Sequence, residues 1–271
     1  MIATLRAGVI QMNAGRDLSR NLDTAERLVR QAAAAGAQLI VLPELCTAYG
    51  PLREVLPLGE PIPGPASTLF ASLAAELQVQ LCAGSLCERA SDAARGFNTS
   101  LLFDAHGQLL AQYRKVHLFD IEIPGRVCSR ESDFMQPGTQ IKAVPTSLAI
   151  IGQAICYDLR FPELFRQLAR QGMEVLLLPS AFTATTGRDH WETLVRARAI
   201  ENQCFVLAAN QFGTHGEKMA SYGDSLIVDP WGHILARAPL DEETVLIADL
   251  EATQLLQVRE RVPALQHRRL R

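Results

Sequence analysis

Apolar residues follow two rhythms along this chain. Short, nearly unbroken runs, among them Leu5 to Gln11, Gln38 to Leu42, Leu148 to Ile155, Glu174 to Ala181 and Cys204 to Gln211, read as strands covered on both faces. Elsewhere the apolar positions recur every three or four residues. Leu18, Leu22, Ala25, Leu28, Val29 and Ala32 line one face of a helix from Leu18 to Ala35, and Gly36 closes it because glycine adopts the left-handed C-cap conformation without strain. Helices are also expected over Ser67 to Leu77, Glu163 to Gln171 and Trp191 to Glu201. Further strands are expected at Val79 to Cys87, Asn98 to Phe103, Gln108 to Arg114, Ser225 to Asp229, His233 to Arg237 and Thr244 to Leu250. Asp104-Ala105-His106-Gly107 and Pro230-Trp231-Gly232 read as turns. Ala48 to Pro65 and Phe119 to Pro137 show neither rhythm and are expected to be loops. A loop as long as the second is uncommon unless it lines a site.

Strands that alternate with helices and are apolar on both faces predict a layered α/β fold. No Ser/Gly-rich linker divides the chain, so residues 1–271 are expected to form one domain. Composition changes this picture little: 48% apolar, 20% charged and a net charge of −3 are ordinary for a globular enzyme. That charge gives no reason to expect nucleic acid or an anionic membrane as partner. No apolar run approaches the ~20 residues that cross a bilayer, and the first residues read as a strand instead of a secretory signal. A cytoplasmic protein is therefore expected. The basic tail, Arg268-Arg269-Leu270-Arg271, reads as a solvated terminus.

The six cysteines, Cys46, Cys82, Cys87, Cys128, Cys156 and Cys204, form no C-x-x-C pair, and no histidine stands at metal-ligand spacing from them. No disulfide, metal or other cofactor is expected. Cys156 differs from the rest. It sits where an apolar strand gives way to a helix, and a thiol at such a turn is held beside free backbone N–H groups. Two other strand ends carry chemistry: Glu44 follows Val41-Leu42-Pro43, and Lys115 follows Tyr113-Arg114. A nucleophile, a base and a cation at the mouths of three strands point to acyl transfer.

Pro43-Glu44-Leu45, Arg114-Lys115-Val116-His117-Leu118 and Ile155-Cys156-Tyr157-Asp158 resemble, in order, the catalytic blocks of the nitrilase, or carbon–nitrogen hydrolase, superfamily. The resemblance runs from the first strand to Pro230-Trp231-Gly232. It implies an αββα sandwich, a cysteine thioester mechanism and pairing into a homodimer. It also implies roles: Cys156 as nucleophile, Glu44 as proton carrier, Lys115 with the Tyr157 N–H as oxyanion donors, and Glu131 as a supporting second glutamate. Glu131 as a plain loop carboxylate is the alternative. His117 permits a Cys–His reading like that of papain-type proteases, but no other local signature of those enzymes is present.

Cys156-Tyr157-Asp158, continued by Leu159-Arg160-Phe161-Pro162-Glu163-Leu164, resembles the amidase branches and not the Cys-Trp-Glu of true nitrilases. Two branches fit, one acting on deaminated glutathione and the other, ω-amidase, on α-ketoglutaramate. Arg198 to Cys204, His215 to Gly223 and Pro263 to Arg269 look closer to the first. Both substrates are small amides bearing carboxylates. Arg160 is thus expected either to fork onto a substrate carboxylate or to pair with an acid such as Glu163. Phe182 and Thr185 are candidates for the pocket, with a core role open for Phe182. A non-catalytic binding protein of the same fold is the reading from another class, and it would have been favoured by loss of Glu44, Lys115 or Cys156.

Overall fold

A strand that is apolar on both faces needs a cover on each side, and the central strands of this chain obtain it by forming two sheets pressed together. The computed structural model describes residues 1–90, 94–125, 127–216 and 219–270, with Val127 by its backbone only. Glu217 and Lys218 of the His215 to Gly223 segment, and Arg271 of the tail, lie outside the described residues.

The first half contributes β1 (Thr4–Gln11), α1 (Leu18–Ala34), β2 (Leu39–Val41), α2 (Leu52–Val55), α3 (Pro65–Leu77), β3 (Gln80–Cys82), β4 (Leu86–Glu88), β5 (Phe97–Phe103) and β6 (Leu109–Arg114). A hairpin of β7 (Asp120–Ile123) and β8 (Val127–Arg130) follows, then β9 (Val144–Pro145), β10 (Ile150–Gln153), α4 (Pro162–Arg170), β11 (Val175–Ser180), α5 (Ala184–Asn202) and β12 (Phe205–Asn210). The chain ends with β13 (Phe212–Thr214), β14 (Ala220–Tyr222), β15 (Leu226–Val228), β16 (Ile234–Arg237), β17 (Thr244–Glu251) and α6 (Ala252–Arg261).

One sheet has the order β17-β1-β2-β3-β5-β4, with β6 on β5; the other has the order β16-β15-β12-β11-β10-β9. Alternate residues of each strand serve different cores. Leu5, Ala7 and Val9 of β1 meet Val175, Leu177, Phe205 and Leu207 between the sheets. Ile10 and Ile40 point the other way, onto Ala25, Leu28 and Val29 of α1 and Phe70 of α3. Leu176, Leu178 and Val206 likewise turn outward onto Phe165 and Leu168 of α4 and Trp191 of α5. Each fully buried side chain of this kind is worth about 1.5–3 kcal/mol. The layers run helix, sheet, sheet, helix: an αββα sandwich.

Several expectations are corrected. Val79 to Cys87 is two strands, β3 and β4, parted at Gly84, whose φ is +62°. A Cβ there would lie 2.0 Å from the Pro43 carbonyl oxygen, so only glycine lets this turn lie against the segment that carries Glu44. The Ala48 to Pro65 stretch contains α2 and a 3₁₀ turn, Leu56–Leu58, which close a small core of Leu45, Ala48, Val55, Cys87 and Met135. The Phe119 to Pro137 stretch contains the hairpin β7–β8 and a 3₁₀ turn, Glu131–Asp133. These strands pair only with each other, so no core imposed an apolar period on them.

Helix α5 begins at Ala184, well before Trp191. Thr183 caps it by accepting from the Thr186 N–H at 3.3 Å. Gly187 is tolerated inside the helix because the Tyr222 side chain packs where its Cβ would stand. The hairpin β13–β14 and helix α6 were not anticipated, being short or largely polar.

Candidate active site

β2 and β6 belong to one sheet and β10 to the other, and the residues just beyond these three strands meet where the two sheets lie against each other. Lys115 Nζ lies 2.9 Å from Glu44 Oε1 and 2.9 Å from Glu131 Oε2. All three side chains are buried, at 2% exposure for the lysine and 5% for each glutamate. Burial alone would lower the Lys115 pKa; Glu131 and Glu44 overcome it and hold the ammonium well above the usual lysine value. Glu131 also accepts the Phe119 N–H at 2.6 Å, so it ties the base of the β7–β8 hairpin to the cluster. Glu44 Oε2 accepts the Ala181 N–H at 2.9 Å, which links it to the end of β11.

Cys156 opens a 3₁₀ turn, Cys156–Arg160, with φ at +45°. A non-glycine residue in that region costs about 1–3 kcal/mol and persists only where its surroundings enforce it. Here Asp158 does so. Its carboxylate accepts the Ile155 N–H at 2.9 Å, the Tyr113 hydroxyl at 2.6 Å and the His117 N–H at 3.0 Å. Arg198, buried, adds a clamp from α5 by donating Nε and Nη2 to the Leu159 carbonyl at 3.0 and 2.7 Å. Burial and the Glu44 carboxylate push the Cys156 thiol well up, while Lys115 and the Ala181 N–H pull the other way. The thiol is therefore protonated at rest and needs Glu44 to react. The Tyr157 N–H meets no hydrogen-bond acceptor among the described residues and stands ready for one.

A cavity of about 540 Å³ opens over these groups and is walled by Tyr49, Arg130, Tyr157, Phe182 and Thr185. Phe182 is thus both buried and on the cavity wall, and Thr185 lies at the start of α5. Arg160 is elsewhere. Its guanidinium carbon sits 5.0 Å from the Phe182 ring centre and 5.8 Å from that of Tyr157, with Nη1 3.3 Å from His190 Nδ1. It is neither on the cavity wall nor ion-paired with Glu163 among the described residues. The structure places Arg160 against the rings of Phe182 and Tyr157, two residues of the cavity wall. Among the described residues, the cation on the wall besides Lys115 is Arg130, at the end of β8.

Sequence reasoning missed Asn98. Its Nδ2 donates to Glu44 Oε1 at 2.8 Å and to Glu131 Oε1 at 3.2 Å. The signal was the polar run Asn98-Thr99-Ser100 at the head of an otherwise apolar strand. Asp158 was noticed as part of a motif, but two of its partners, Tyr113 and His117, come from a segment about forty residues away, and only the fold reveals them. Among the described residues, no group of three or more His, Cys, Asp or Glu side chains is arranged to hold a metal ion.

The sequence model of the carbon–nitrogen hydrolase family matches residues 6–260. This chain belongs to that family. The carbon–nitrogen hydrolase described here is 41% identical to the deaminated glutathione amidase of Synechocystis sp. (strain PCC 6803 / GT-S), over 97% of each chain. It is 37% identical to the omega-amidase NIT2 of Mus musculus, over 99% of this chain and 96% of the other. Among solved structures, the C. elegans NitFhit protein superimposes with a TM-score of 0.92 at 39% identity. That match covers 98% of this chain but 65% of the NitFhit chain, so the present chain spans less than two thirds of its length. Membership makes the protein a hydrolase of carbon–nitrogen amide bonds.

Proposed function

We propose that this hydrolase cleaves the amide of a small 2-oxo acid, deaminated glutathione, through a thioester on Cys156, within one catalytic domain. The observation that carries this reading is the meeting of Glu44, Lys115 and Cys156 on one cavity, with Glu44 bearing on both the thiol and the ammonium.

In this mechanism Cys156 Sγ attacks the amide carbon as its proton passes to Glu44. Lys115 and the Tyr157 N–H stabilise the oxyanion, and one good donor of this kind is worth about 3–4 kcal/mol. Glu44 then returns the proton to the nitrogen as the C–N bond breaks, and the amine leaves. Water attacks the thioester, gives a proton to Glu44, and the collapse frees the acid and the thiol. Glu131 keeps the Lys115 ammonium aimed at the carbonyl oxygen. No cofactor enters, because every group required belongs to the chain.

The buried cluster sets two carboxylates against one ammonium, so an acidic substrate needs a further cation. Arg130 supplies it from the cavity wall, and it forms no ion pair among the described residues. Phe182 and Thr185 bound the pocket beside it. The second reading, ω-amidase acting on α-ketoglutaramate, is favoured by the likeness to the mouse omega-amidase. Hydrolysis of either substrate yields 2-oxoglutarate, so one coupled assay reads both. A kcat/KM preference for deaminated glutathione that disappears in Cys156→Ala supports the proposal; a preference for α-ketoglutaramate moves the protein to the second reading.

The proposal extends to a cytoplasmic homodimer with neither nucleic acid nor membrane as partner. No helix among the described residues is long and apolar enough to cross a membrane, and an exposed free thiol such as Cys128 suits a reducing compartment. Ile200 and Trp231, each 50% exposed, give the dimer an apolar patch.

A further inference from the structure

We propose that Asn98 is the positioning residue that holds Glu44 and Glu131 together as anions on the single ammonium of Lys115. The inference rests on the catalytic reading above.

Two carboxylates drawn to one nitrogen repel each other, and a proton settling on either would relieve them. Solvent cannot share that charge, because Glu44, Glu131 and Lys115 are all buried. Asn98, 1% exposed, stands where both carboxylates can be served. Its Nδ2 donates to Glu44 Oε1 at 2.8 Å and to Glu131 Oε1 at 3.2 Å, one N–H to each. Its backbone carbonyl accepts the Lys115 N–H at 2.9 Å. One residue of β5 therefore anchors, through its main chain, the backbone from which Lys115 projects and, through its side chain, both carboxylates.

The amide cannot be turned over without setting Oδ1 against two carboxylates, so the network dictates its orientation. In that orientation Oδ1 is buried with no hydrogen-bond partner among the described residues. A fold that leaves an acceptor unsatisfied in order to aim two donors indicates that the donors are what the position requires.

The titratable groups facing Asn98 and its partners are Glu44 beyond β2, Lys115 beyond β6, Glu131 beyond β8 and Cys156 beyond β10, with Tyr49 acting across the cavity on Glu44 and Cys156. With Asn98 in place, the carboxylate that must receive the Cys156 proton is held in position to do so.

The test is the pH dependence of Cys156 alkylation by iodoacetamide, followed by mass spectrometry on the intact folded protein, with exposed Cys128 as internal control. Removing hydrogen bonds to a charged group is expected to move the acid limb of the Cys156 rate upward by about one to two pH units in Asn98→Leu. Asn98→Asp, which adds a third carboxylate, should move it further. Should Asn98→Leu fail to fold, Asn98→Ser carries the same test, because its single hydroxyl can serve only one carboxylate. An acid limb unmoved in folded variants overturns the role of Asn98, since a purely structural asparagine would change stability alone. Amide hydrolysis that survives complete alkylation of Cys156 would overturn the catalytic reading itself, a different outcome from an unmoved limb.

Discussion

His117 turns its ring to Asp158 and not to Cys156. Its Nδ1 lies 2.7 Å from Asp158 Oδ1, and the ring stacks on Phe161 with centres 3.7 Å apart. A histidine so engaged braces the turn that carries the nucleophile, and it is absent from the cavity wall. His117→Phe, which keeps the stacking, is expected to lower kcat less than tenfold by weakening one brace of several. Asp158→Ala strands buried donors, each costing about 1–3 kcal/mol, and should cost both activity and several degrees of Tm. If His117→Phe were as inactive as Cys156→Ala in steady-state assays, the histidine would belong to the chemistry.

On the proposed reading, Arg130 on the cavity wall meets the substrate carboxylate, while Arg160 packs on the Phe182 and Tyr157 rings. Arg130→Gln should raise KM for an acidic amide by about 10- to 100-fold, the range for losing a charge-assisted hydrogen bond. It should hardly affect a neutral amide of similar length. Arg160→Gln should alter both substrates alike, because it loosens the Phe182 and Tyr157 rings behind the wall. Parallel KM measurements on the two amides decide the matter, and the reverse pattern would return the carboxylate to Arg160.

His215 supplies a pH dependence of stability. It is buried against Tyr49, with Nδ1 2.7 Å from the Ala14 carbonyl oxygen and Nε2 3.0 Å from Ser221 Oγ. Burial lowers its pKa below the ordinary 6.5, despite the opposing bond to Ala14. A folded-state pKa below the unfolded one means the neutral ring is the stabilised form. Its contribution is complete above about 6.5 and is lost as the pH falls toward the folded value. Thermal unfolding should therefore show Tm falling as the pH drops below about 6.5, and less steeply in His215→Asn. Equal slopes for the two proteins would refute the assignment.

The homodimer is tested at the apolar patch. Ile200 packs directly over Gly232, beside the exposed Trp231, and a charge placed there would face any partner across the interface. Light scattering after size exclusion should show a dimer for the native protein and a monomer for Ile200→Asp combined with Trp231→Arg. A native monomer would remove the dimer from the proposal.

The sequence by itself determined the layered plan, since apolar runs this short, bounded by turn residues and alternating with helical periods, read as strands covered on both faces. It also marked Glu44, Lys115 and Cys156, because chemistry-bearing residues at strand ends stand out against apolar neighbours. Tertiary structure decided the rest. Gly84 parts β3 from β4 because the Pro43 carbonyl lies against it, and that closeness joins residues far apart in the chain. The hairpin over the site and the short α2 escaped notice because neither belongs to the main cores, so their sequences carry little apolar periodicity. Arg160 stands four residues past the nucleophile but packs on the Phe182 and Tyr157 rings, and Arg130 lines the cavity from another segment. Nearness along the chain says nothing of which way a side chain faces at an irregular turn. Asn98 and Asp158 were hidden for the same reason: a buried polar residue acquires meaning from its partners, and only the packed fold brings those partners within hydrogen-bond distance.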